Sequence, residues 1–139
     1  MTEAAAKEHQ KSFQDSLTRL PQLADASIQI NLETELRKLR EASTWKQPVG
    51  RSSATLVKYK DLRIVLTLLK QGARIAHHRA EGSISIQAIL GRIRLSVGWT
   101  QLWELAAGDI LALQSGLDHD VEALEESAFL LTIASPHSS

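Results

Sequence analysis

A chain of 139 residues, 43% apolar and without cysteine, has room for one ordinary hydrophobic core and excludes disulfides and thiolate metal sites, so any metal would fall to His, Asp or Glu. Sixteen basic residues balance sixteen acidic ones, which argues against a basic domain that grips nucleic acid. The opening MTEAAAKEHQKSF lacks the apolar core of a secretory signal and no run approaches the roughly 18 apolar residues of a membrane span, so a cytoplasmic protein with no membrane partner is expected.

The first twenty residues favour helix. Ala4, Ala5 and Ala6 precede Phe13, Leu17 and Leu20 at spacings of four and three, Glu3 and Lys7 stand four apart in the favoured order, and Pro21 ends the pattern. This stripe could pack on the remainder of the chain or on a second subunit, or belong to a partly helical tail. Ile28-Gln29-Ile30 alternates and predicts a short edge strand. Asn31 then stands at an N-cap, Glu33 and Glu35 complement the helix dipole, and Leu32, Leu36 and Leu39 form one face, which predicts an amphipathic helix over 32–43. Trp45 follows as a lid or interface packer. Pro48 and Gly50 mark the passage into a different kind of sequence, so residues 1–50 read as a helical extension.

From Arg51 onward the pattern is strands separated by turn residues. Thr55–Tyr59 and Leu62–Leu69 flank a hairpin tip at Lys60-Asp61, and Ser83–Leu90 meets Arg92–Val97 at Gly91. In the second of that pair Ile93, Leu95 and Val97 alternate with Arg92, Arg94 and Ser96, so one face is buried and the other wet. Gly98-Trp99 turns the chain into Leu102–Leu105, Asp109–Leu113, His119–Leu124 and Ser127–Ile133. About nine short strands predict a mainly β, jelly-roll barrel over 51–134, with 135–139 as a disordered tail. Charge is unevenly laid along it. Nine Lys or Arg stand against two acids from Arg51 to Val97, whereas seven acids and no Lys or Arg follow from Gly98. In an antiparallel barrel this layout predicts opposite charges at facing positions, not a nucleic-acid surface.

Two glycine and histidine spacings complete the pattern. Gly72, His78 and Gly91 stand at the intervals of the first cupin signature, and Gly108, Gly116 and His119 at those of the second. The barrel resembles the cupin superfamily on these residues. The resemblance implies a jelly-roll cupin barrel, a homodimer, and a site where three imidazoles and a carboxylate converge on a divalent transition metal. The chain departs from it at Ala80 and Ile84, where the second His and the Glu would fall, and at Gln114 and Ala123, where Pro and Asn would.

Those departures shape the expected site. Strand alternation puts Ala76, His78 and Ala80 on one face and His77 and Arg79 on the other; a one-residue irregularity would instead turn His77 and Arg79 inward. Ile84, Ile86 and Ala88 share a face, and His119 shares one with Val121 and Ala123, while Asp120 and Glu122 point outward. The expected pocket is therefore His78, Ala80, Ile84, Ile86, His119 and Val121, with no cofactor; a divalent metal, if one bound, would be held by His78 and His119. His119 beside Asp118 is a candidate general base. Trp99 and Trp103 would cover the sheet or a subunit contact. Three functions remain open: a metal-poor module binding a small organic ligand, a metal-dependent dioxygenase or isomerase acting on a small acid or sugar, and a metal-free epimerase-like enzyme using a histidine base. No phosphate loop, HExxH or Ser-His-Asp order is present.

Overall fold

The computed structural model describes residues 23–79 and 81–135, without the side chain of His77. The helix expected over the first twenty residues, the pocket position Ala80, the orientation of His77 and the tail from residue 136 lie outside the described residues.

Helix α1 runs Leu32–Glu41 and starts where the cap chemistry requires: the Asn31 side chain accepts a hydrogen bond from the Thr34 N–H at 2.9 Å, with Glu33 and Glu35 in the first turn and Lys38 and Arg40 in the last. It ends two residues before the expected position, and a 3₁₀ turn, Ser43–Lys46, carries the chain on. Ile28-Gln29-Ile30 is not a strand. Instead Ile28 and Ile30 pack beside Leu36 and Leu39 of α1 against Leu56, Leu66 and Leu68. Their alternation serves this helix-on-sheet layer, so no ladder is needed to bury them. Trp45 joins the same cluster with the Lys70 ammonium 5.1 Å from its ring centroid, and the Arg40 guanidinium reaches Glu126 at 2.9 Å.

Nine strands follow: β1 Arg51–Lys58, β2 Arg63–Leu69, β3 Arg74–Arg79, β4 Ser83–Leu90, β5 Arg92–Val97, β6 Gln101–Ala106, β7 Ile110–Leu113, β8 Asp118–Ala123 and β9 Ser127–Ala134. They form two antiparallel sheets, ordered β1-β2-β9-β4-β7 and β3-β8-β5-β6, with the chain crossing repeatedly from one sheet to the other, as in a jelly roll. Between the sheets lies the barrel core, where Ile84, Ile86 and Ala88 of β4 face Ile93, Leu95 and Val97 of β5. β2 is covered on both faces, with Leu66 and Leu68 toward α1 and Leu69 in the barrel core. Its sequence, RIVLTLL, accordingly is apolar at five of seven positions in place of a strict alternation.

Two glycines show how the strands are joined. Gly91 adopts φ 76° between β4 and β5, and a side chain there would collide with the Glu126 carbonyl and Ser127. Gly82 is buried against the backbone of Ala134 of β9, while Glu81 beside it stays exposed.

The uneven charge layout is resolved by pairing between strands. Arg74 reaches Asp120 at 2.7 Å, Arg79 reaches Asp118 at 2.9 Å, Arg92 reaches Glu104 at 2.6 Å and Arg94 reaches Glu122 at 3.6 Å. Arg94 and Glu122 are direct register partners on β5 and β8, and so are Arg79 and Asp118 on β3 and β8. Basic and acidic stretches thus mark neighbouring strands.

Candidate ligand-binding site

Strands β3 and β1 are edges of the two sheets, and both border a cavity of about 490 Å³ that enters the barrel. That volume suits a small organic molecule. Its deeper walls are apolar: Ile84 and Ile86 from β4, Val121 from β8, and Phe129, Leu131 and Ile133 from β9. The cavity brings together five of the expected pocket residues, His78, Ile84, Ile86, His119 and Val121; Ala80 lies outside the described residues.

A bulge in β3 sets the orientation of its histidine. Ile75 pairs with Val121 and His78 with His119, so two residues of β3 span a gap that β8 spans with one. Strict alternation would send Ile75 and His78 to opposite faces, yet both line the cavity. Ala76, expected beside His78 on the inner face, is exposed and does not line the cavity. The irregularity keeps His78 at the cavity, contrary to the expectation that one would turn it outward.

The two imidazoles lie across the β3-β8 ladder with ring centroids 6.1 Å apart and planes inclined by 34°. His78 is exposed at the rim, whereas His119 retains 8% of its accessible surface. Burial pushes the His119 pKa below the ordinary histidine value, the Leu117 carbonyl opposes this, and His78 adds a smaller lowering. Burial therefore favours the neutral form of His119. Its Nδ1 stands 3.4 Å from the Leu117 carbonyl oxygen, a long contact in which Nδ1–H donates and Nε2 is left as the acceptor. Asp118, the neighbour of His119 in the chain, is engaged by an arginine. Both Asp118 oxygens accept from the Arg79 guanidinium, at 2.9 and 3.3 Å.

The donor set does not fit the metal site that the resemblance implies. Ile84 presents a buried alkyl wall at the carboxylate position, and alanine at position 80 has no donor atom. Among the described residues no three His, Asp or Glu side chains gather as a metal site.

Several lining residues escaped sequence reasoning. Arg51, Ser53 and Thr67 come from β1 and β2, while Arg79 of β3 lines the cavity as expected for an irregular strand. The expected first strand began at Thr55, whereas β1 starts at Arg51, so Arg51 and Ser53 were assigned to no element. The available signal was the hydrophilic run Arg51-Ser52-Ser53 leading directly into an alternating strand. On the outer surface Trp99 is 81% exposed, Leu102 69% and Trp103 43%, so the two tryptophans do not seal the sheet within this chain. Among the described residues no helix is long and apolar enough to cross a membrane.

No family model matches the sequence, and no curated protein matches it. Solved structures do match in shape. A conserved protein of unknown function from Streptococcus pyogenes superposes with a TM-score of 0.61 at 24% identity, over 66% of this chain and 80% of its own. A cupin superfamily protein from Desulfitobacterium hafniense gives 0.60 at 15% identity, over 62% and 78%. Salicylate 1,2-dioxygenase from Pseudoaminobacter salicylatoxidans gives 0.67 at 18% identity, over 76% of this chain but 32% of the dioxygenase. Likeness at such identities is a likeness of fold.

Proposed function

We propose that this chain, a barrel of the cupin fold, is a metal-poor module that binds a small organic molecule in the cavity between its sheets, with His78 and His119 as polar contacts. The observation that carries this reading is the cavity itself: about 490 Å³, walled by Ile84, Ile86, Val121, Phe129 and Leu131, with a few polar groups toward its rim. Apolar walls with a few convergent polar groups are the usual character of a small-molecule site. Ile84 supports the metal-poor part, because its buried alkyl chain occupies the position where a carboxylate would balance a cation.

Screening a small-molecule library by NMR against the full chain tests the reading. Binders should shift amides of β3, β4, β8 and β9 that border the cavity, and Val121→Trp, which fills it, should abolish those shifts. Hits that all map to the outer face near Trp99, with none in the cavity, would refute it.

A second reading, a histidine base without metal, is supported by one contact: the Leu117 carbonyl takes the Nδ1–H of His119, which leaves Nε2 as a proton acceptor, and burial favours that neutral form. Turnover of a cavity-binding compound that is lost in His119→Gln, with binding retained, would select it over the binding module.

A further inference from the structure

We infer that the molecule bound in this cavity is a small organic carboxylate with an apolar body, its anionic group docked on Arg51 beside the hydroxyls of Ser53 and Thr67. The inference rests on the ligand-binding reading above and adds the chemical class.

Charge is the first argument. Among the described residues two guanidinium groups, Arg51 and Arg79, and two imidazoles line the cavity, and no Asp or Glu does. Arg79 is committed to Asp118 through two hydrogen bonds. Arg51 makes no ion pair with any described residue, unlike the arginines that pair across β3, β5, β6 and β8. Arg51 is therefore an exposed cation at the cavity whose guanidinium donors no described residue engages. A bound anion would engage them.

The neighbouring hydroxyls give the second argument. Ser53 and Thr67 are register partners on β1 and β2, and their oxygens lie 2.9 Å apart. One O–H is used between them, whichever donates, so the other remains free to donate to a ligand oxygen. Ser53 and Arg51 are two apart on β1 and line the same cavity. A guanidinium fork unpaired with described residues and one spare hydroxyl match the two coplanar oxygens of a carboxylate. Ile86, Phe129 and Leu131 then give the remainder of the ligand an apolar wall.

The test uses matched probes on the full chain: benzoate and hexanoate, their amides benzamide and hexanamide, and phenyl phosphate, each titrated by NMR with amide shifts at the cavity as the readout. At least one acid should bind about tenfold or more tightly than its amide, as expected for a charge-assisted bidentate contact. Arg51→Gln should reduce that preference to about twofold or less, Arg51→Lys should retain part of it, and Ser53→Ala should weaken the acid about threefold. Arg51 is exposed and unpaired with described residues, so an unchanged amide spectrum in the variants serves as the fold control. Acid and amide binding the cavity equally well, or a preference that survives Arg51→Gln, would overturn the carboxylate assignment and leave the ligand-binding reading standing. Tighter binding of phenyl phosphate than of benzoate would overturn it in favour of a phosphorylated ligand. No shift at the cavity from any probe at about 10 mM would overturn the carboxylate assignment, and it would leave the broader reading to the library screen alone.

Discussion

Truncating one side chain of the cavity wall and one of the enclosed layer tests whether the barrel is open or close-packed. Ile86 is 1% exposed and borders the cavity; Leu66 is fully buried between β2 and α1. Ile86→Ala and Leu66→Ala each remove three carbons, so at about 0.8 kcal/mol per carbon both lose a transfer term of about 2.4 kcal/mol. They differ in the void left behind. Leu66 is enclosed by its neighbours beneath α1, and a cavity term of about 24 cal/mol per Å³ should carry Leu66→Ala to about 4–5 kcal/mol. The space left by Ile86→Ala instead merges with the 490 Å³ already open to solvent or ligand, so its cost should stay near about 2.5 kcal/mol. Urea unfolding by circular dichroism, with m-values unchanged, measures both. An Ile86→Ala cost equal to or above that of Leu66→Ala would refute the reasoning, because position 86 would then face a sealed interior.

Three further outcomes follow from the geometry. His119 has a folded pKa below its unfolded value of about 6.5, so the unfolded chain takes up a proton first on acidification; its stability contribution is present above that value and is lost as pH falls from there through the folded pKa. The urea midpoint should fall more steeply below pH 6.5 in the native chain than in His119→Gln, and equal slopes would contradict the burial argument. Asn31→Ala should cost about 1 kcal/mol by removing the cap on Thr34, read as a lowered urea midpoint. Gly91→Ala should cost more than Asn31→Ala, since it adds a collision with the Glu126 backbone to an unfavourable φ, and a near-neutral result would refute that close approach.

How far the sequence disclosed this molecule depended on which residues carried a period. β4 and β5 coincide with the expected Ser83–Leu90 and Arg92–Val97, because each buries one face and Gly91 punctuates them. Asn31 disclosed the helix start through its cap, while the helix end lacked an equally sharp signal and was placed two residues late. The ion pairs joining β3, β5, β6 and β8 were legible as segregated charge.

The site was less legible. The bulge in β3 adds one residue without changing residue types, so alternation could not show that Ile75 and His78 both border the cavity. Arg51 and Ser53 escaped because a strand edge facing a polar cavity mouth has no apolar period to detect. The Ile28–Ile30 alternation misled for the opposite reason: packing on α1 requires apolar residues, not strand pairing.

Metal content tests most directly the proposal that a cupin-fold barrel presents an apolar ligand wall at the position of a metal cradle. Protein produced with added iron, manganese and zinc, then dialysed and assayed for bound metal, should carry well below one ion per chain, with the same content after His78→Ala and His119→Ala are combined. One transition-metal ion per chain, lost in that double variant, would contradict the account.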